Sequence, residues 1–279
     1  MVMLKILGMK LVKSLDDIFG LSDLDYQESV GVFKKNTYFK FLRYSKLHVP
    51  FALGRTIRGI SFSHSVEDDP FGYFCKGCTT EEHEESLGNY LINLYEQERA
   101  KTAADIVGLG NKSSLSKYPA WALVMPWENI SPEYKLNTYL HSFARNRNSN
   151  NLSFDQAANN LSEEILYTKA NANSQVRQTK KLWQSIKENG YKSSMPLPRI
   201  LIFVSDNQWR WVMSGSGNHR AYLCNIGGYE SLLVEIHGII DRRHAWTWFN
   251  VKNRIYTEEE ALGLFDSFFN GKRVLRGVV

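Results

Sequence analysis

The stretch from Pro198 to Gly228 leaves the chain least freedom. PRILIFV (Pro198–Val204) is almost continuously apolar and β-branched, the pattern of a strand covered on both faces. Asp206, Asn207 and Gln208 read as a tight turn, and WRWVM (Trp209–Met213) returns as the hairpin partner. The run Ser214-Gly215-Ser216-Gly217-Asn218-His219-Arg220 then opens onto AYLCNI, a short helix ended by Gly227 and Gly228. SLLVEIH (Ser231–His237) is a further strand. Strands interleaved with helices in this way point to the α/β (α+β) class.

The flanking signals agree. Ser174 is placed to cap a helix whose inner face is Val176, Leu182, Trp183 and Ile186, stopped by Gly190. Thr257 with Glu260 forms a capping box, and Ala261, Leu264, Phe265 and Phe268 follow at helical spacing up to Gly271. Earlier, residues 81–104 read as a helix with Leu87, Leu91, Leu94 and Tyr95 on one face. The acidic residues Glu81, Glu82, Glu84 and Glu85 occupy its first turns, where carboxylates favour the helix dipole. Residues 28–65 are dense in aromatic and β-branched residues, as strands are, and Glu67–Asp69 before Pro70 reads as a loop. Gly108, Gly110, Asn111, Ser113 and Ser114 mark a break. The expected organisation is therefore an N-terminal mixed domain, 1–115, and a second domain, 116–279. Residues 137–173 are sparse in apolar residues and rich in Asn, with Ser153 and Gln156 offering one capping box, and read as loops with short helices.

Composition narrows the setting. Three cysteines in 279 residues cannot build a disulfide framework, so a reducing, cytoplasmic setting is expected. No apolar run reaches the length of a membrane helix. Lys5, Lys10 and Lys13 interrupt the apolar N-terminus, which reads as a core-packed first helix, with peripheral membrane contact as the alternative. The net charge of +5 and pI near 8.9 fit a binder of phosphates in some form.

The loop Ser214–Arg220 carries the chemistry. Its glycines let the backbone turn sharply and approach a ligand, and the helix that follows presents unpaired N–H groups. His219 and Arg220 add side-chain donors, and arginine grips phosphate bidentately. The plain alternative is a glycine-rich turn whose Arg makes a structural ion pair.

The order KLWQSIKENGY, PRILIFV, WRWVMSGSGNHRAYLCNIGGY, LLVEI resembles the core of the ParB/sulfiredoxin superfamily over about residues 120–240. That resemblance implies a mixed sheet with flanking helices behind the N-terminal mixed α/β segment. It also implies nucleotide-phosphate binding at Gly217-Asn218-His219-Arg220, with Gly215 and Ser216 beside them. Sulfiredoxins carry a nucleophilic Cys where Asn218 stands, so reductase activity is not expected. Partition proteins carry a DNA-binding domain after the core, for which this chain leaves about 40 residues. The loop chemistry is closest to the free-serine-kinase branch, which keeps the His-Arg pair. The implied function is an ATP-dependent phosphotransferase acting on a small molecule or a sugar or glycan acceptor, with ATP (or ADP or CTP) and Mg²⁺ as cofactors. In that branch a Glu acts as base near a Leu-x-Pro motif. Here WALVMPWENISPEYK occupies the place, so Glu133 or Glu128 would take the role, with His219 as a further catalytic candidate.

PWENISPEYK, Arg145-Asn146-Arg147 and the C-terminal stretch from His244 also resemble uncharacterised ParB-like proteins of polysaccharide gene clusters. On that resemblance Trp246 and Trp248 are candidates for stacking on a sugar or base; core packing is the alternative. Asp241 with Arg242 and Arg243 is a further metal or phosphate candidate. A nucleic-acid-binding protein or nuclease, and a non-catalytic nucleotide sensor, are the competing functions. Cys75-Lys76-Gly77-Cys78 with His83 has the look of a metal knuckle but lacks an evident fourth ligand, so no metal site is assigned. Gly108–Ser114 superficially suggests a phosphate loop through Gly110, Lys112 and Ser113, without the required glycine-to-lysine spacing.

Overall fold

A computed structural model describes residues 46–138, 169–191, 196–206 and 208–275. Its centre is a five-stranded mixed sheet, and the chain is of the α+β class. The strands are β1 (Lys46–Pro50), β2 (Gly54–Arg55), β3 (Arg199–Ser205), β4 (Gln208–Met213) and β5 (Ser231–Asp241), in the order β1-β5-β3-β4-β2. β3 and β4 form the expected antiparallel hairpin, Ile202 facing Trp211. β5 runs parallel to β3 and antiparallel to β1.

The near-continuous apolar strands are explained by what covers them. Ile200, Ile202 and Val204 of β3 and Trp209, Trp211 and Met213 of β4 point into one layer. Phe203 and Val212 point into the other. The first layer contains α1 (Pro70–Gly77), α2 (Glu84–Gln97), α4 (Lys169–Asn189) and α5 (Asn218–Ile226). The second contains α3 (Ala103–Ile106), the turn Arg242–Thr247, α6 (Phe249–Lys252) and α7 (Glu258–Phe269). A bulge in β5 pairs Ile200 with Ile236 but Leu201 with Gly238. The extra residue shifts the inward phase, so Ile236 faces the first layer and Ile240 the second.

The sheet crosses the boundary expected near residue 115. β1 and β2 come from before it and β3–β5 from after it. Arg55 of β2 donates to the Phe269 carbonyl at the end of α7, at 3.2 and 3.0 Å. Gly54 permits this docking, because a Cβ there would sit 2.2 Å from the Trp211 ring. The Gly108–Ser114 break is a loop within this body.

Three local readings change: the helix expected over 81–104 runs only from Glu84 to Gln97, so Glu81 and Glu82 precede its first turn. Pro70 does not continue a loop but starts α1, with Asp69 capping the Phe71 N–H at 3.0 Å. Proline suits the first helical position because its missing N–H would be unpaired there anyway. Ser174 lies inside α4, which is already helical at Lys169, whereas Gly190 ends it as expected with φ +69°. The α7 capping box and its buried Ala261, Leu264, Phe265 and Phe268 stand as read. The N-terminal helix, residues 28–45, Ser153 with Gln156, and Arg145–Arg147 lie outside the described residues. Among the described residues no helix is long and apolar enough to cross a membrane.

Asn250 ties the second layer together. It is fully buried, and its Nδ2 donates to the carbonyls of Met125, Glu128 and Ile130 at 2.9, 2.9 and 3.0 Å. Asn250→Ala is expected to cost roughly 3 kcal/mol in urea unfolding, since the two N–H donors that serve three buried carbonyls are lost at once.

Candidate functional site

The Ser214–Arg220 loop leaves β4 and enters α5. Gly217 is the helix N-cap at φ +102°, a conformation that disfavours side chains. A Cβ there would also lie 2.7 Å from Pro198 Cα. Glycine is therefore required twice over. The N–H groups of Asn218, His219 and Arg220 open the helix without an acceptor among the described residues. Asn218 Nδ2 braces the loop on the Gly215 carbonyl at 2.9 Å, while Asn218 Oδ1 is buried without a partner among the described residues.

The loop forms one wall of a cleft of about 190 Å³. Gly215–His219 face Ile57, Arg58, Phe71 and Tyr222 across it. Five of the six loop residues expected to bind phosphate thus line a common cavity. Arg220 does not: its charge acts on Tyr191 and Cys224, and its Nη1 is buried without a partner among the described residues. The arginine of the cleft is Arg58, from a part of the chain whose role sequence reasoning left open. Arg58 is 1% exposed, 3.0 Å from Glu98 Oε2 and 3.7 Å from Asp69 Oδ1. No motif announces it; the only local hint is a cationic residue between two apolar stretches.

His219 is set by packing. Its ring meets Phe71 edge-on at 5.0 Å, and Phe71 meets Tyr222 at 5.2 Å. Nε2 lies 3.0 Å from Gln175 Nε2 on α4. Burial pulls the imidazole down to about 4, so it is neutral at pH 7 and contributes hydrogen bonding rather than charge. Tyr222 donates to Asp69, and burial with the Asp69 charge pushes its phenol well above the ordinary value.

Neither expected base reaches the cleft. Glu128 accepts from the Met125 N–H at 3.1 Å and lies near Tyr256, in the second layer; burial raises its carboxyl above the ordinary value. Glu133 is exposed and accepts from Tyr118 Oη, which holds its carboxyl low. Among the described residues that line the cleft none carries a carboxylate, and Asp69 lies behind Arg58 and Tyr222. Asp241 is bonded to Arg243, and Arg242 to Asp266, so both pairings are structural. Trp248 is buried core and Trp246 is 60% exposed. Cys75, Cys78 and Cys224 are buried free thiols, and burial pushes Cys78 and Cys224 up to about 12. No group of three His, Cys, Asp or Glu placed to hold a metal occurs among the described residues.

Comparison with known protein families, curated proteins and solved structures finds no match to this chain.

The His219 shift has a pH signature. The unfolded chain takes up a proton near pH 6.5 and the folded one only near 4. Between these values the unfolded state binds more protons, so stability falls as pH is lowered. Urea unfolding of the wild type should lose on the order of 2 kcal/mol more than His219→Gln between pH 7 and pH 4. Equal slopes would show that His219 titrates normally.

Proposed function

We propose that this chain binds a nucleotide through its phosphates at the Gly215–His219 cleft and responds to it without turning it over. The observation that carries this reading is the start of α5, where the N–H groups of Asn218 and His219, without an acceptor among the described residues, follow a glycine N-cap on the wall of the cleft. Such a terminus attracts phosphate through both its amides and the helix dipole. ATP, ADP and CTP are the candidate ligands, in keeping with the ParB/sulfiredoxin resemblance. Mg²⁺ takes oxygen ligands, and of the lining side chains Ser216 and Asn218 offer them without a carboxylate. The metal would arrive held chiefly by the phosphates.

Phosphoryl transfer from ATP to a small-molecule, sugar or glycan acceptor is the second reading. What favours it is the neutral imidazole of His219 in the cleft wall, which can accept a hydroxyl proton. Its low basicity, and the distance of Glu128 and Glu133 from the lining, weigh against it. The basic surface that a nucleic-acid-binding role needs gains no support either, since Arg242 and Arg243 are paired with Asp266 and Asp241.

Ser216 is exposed on the cleft rim, so a charge placed there leaves the core intact. Calorimetric titration with Mg²⁺ and ATP, ADP or CTP should show saturable binding by the wild type. Ser216→Glu should weaken it about tenfold or more by repulsion of the phosphates. No heat with any of the three nucleotides would sink the nucleotide reading. Turnover of ATP with an acceptor would favour transfer over sensing.

A further inference from the structure

A second cleft, of about 400 Å³, lies on the second layer, away from the α5 terminus. Lys112, Ser113 and Ser114 form one wall; Arg254, Thr257 and Glu258, at the start of α7, form another. The Lys112–Ser114 segment is the loop whose glycine spacing failed to match a phosphate motif. Its residues nevertheless line the same cleft as Arg254, 142 positions beyond Lys112.

The polar groups of this cavity divide into used and unused. Glu260 Oε2 is spent on the Thr257 N–H, and Thr257 Oγ1 on the Glu260 N–H. Tyr256 Oη is spent on the Val124 carbonyl. Lys112 and Arg254 make no ion pair among the described residues. Ser113 is 6% exposed, and its Oγ is buried with no partner among the described residues. A buried hydroxyl left unbonded is costly and calls for an explanation. Two exposed cations around an unsatisfied hydroxyl form a site for a dianionic oxyanion. The Glu258 and Glu260 carboxylates on the same wall both repel a bare anion, and the exposed Glu258 accepts from ligand hydroxyls, so the lining suits an anion that also carries hydroxyls.

We propose that this second cleft binds the phosphomonoester of a polyhydroxy small molecule. Lys112, Arg254 and Ser113 hold the phosphate, and Glu258 takes a hydroxyl. The site is independent of the nucleotide cleft and does not rest on that reading. Arg254 allows a clean test, because it sits at φ +58°, where glycine is favoured over any side chain. Arg254→Gly removes the guanidinium and should melt no lower than the wild type. The probes are glucose 6-phosphate, glucose and inorganic phosphate, titrated calorimetrically into the full chain. Glucose 6-phosphate should bind about tenfold or more tighter than either of the others. Arg254→Gly and Lys112→Ala should each weaken it about tenfold. The proposal is overturned if glucose 6-phosphate does not saturate at millimolar concentration. It is equally overturned if glucose or phosphate binds as tightly, or if both variants bind like the wild type.

Discussion

A buried guanidinium sets the terms for the rest of this molecule. Arg58 is 1% exposed, and a charge taken that far from water must be compensated or the chain will not fold around it. The compensation comes from Glu98, just past α2, and Asp69, the cap of α1. Asp69 in turn holds Tyr222 of α5, while Arg273 pairs with Glu98. The Arg58 carbonyl accepts the Val274 N–H at 2.8 Å. Residues spread over more than two hundred positions therefore meet at one charge. A buried ion pair adds little net stability over a hydrophobic substitute, but a wrong arrangement strands a charge at much greater cost. The network thus serves to select one packing rather than to strengthen it.

The Gly215–His219 cleft inherits its shape from that selection. Arg58 and Tyr222 both line it, so its floor is fixed by the same bonds that close the body. Rings carry the order outward. Phe62 stacks on Trp211 at 5.1 Å and meets Tyr222 at 5.5 Å, and Tyr222 passes the contact to Phe71 and His219. The α5 terminus is consequently presented by a densely packed first layer, its opening amides without an acceptor among the described residues. Preorganised dipoles of this kind are worth more than flexible surface charges, because the ordering cost is met during folding.

Much of what depended on local period was legible in the sequence, although the Asp69–Pro70 helix start reads there as a loop. The β3–β4 hairpin, α5, α7 with its capping box and the stop at Gly190 follow from spacing and turn residues within a dozen positions. What depended on distant partners was not. β2 is two residues long and gains its place only by lying against β4, more than 150 residues away. Arg58 reads as an ordinary surface cation until Glu98 and Asp69 are brought to it. Arg220 illustrates the converse. Motif spacing assigns it to the phosphates, but one residue along a helix turns a side chain by about 100°, and it falls beside Tyr191 and Cys224 instead. Glu128 fails for a topological reason, since its segment packs on Asn250 in the other layer.

The two clefts lie on opposite layers of one sheet, and that separation constrains their chemistry. Phosphoryl transfer needs the attacking oxygen about 3–3.5 Å from the phosphorus, in line with the leaving group. Layers packed on a sheet stand about 10 Å from it on either side. A phosphomonoester seated by Lys112 and Arg254 therefore cannot be attacked by, or attack, a nucleotide seated at the α5 terminus. The clefts cannot be the donor and acceptor halves of one kinase site. An acceptor for the first cleft would have to enter beside His219, and Asp69, the carboxylate behind that wall, is already engaged by Tyr222 and Arg58. Two ligands seated on opposite layers, as proposed, fit a molecule that responds to their concentrations better than one that interconverts them.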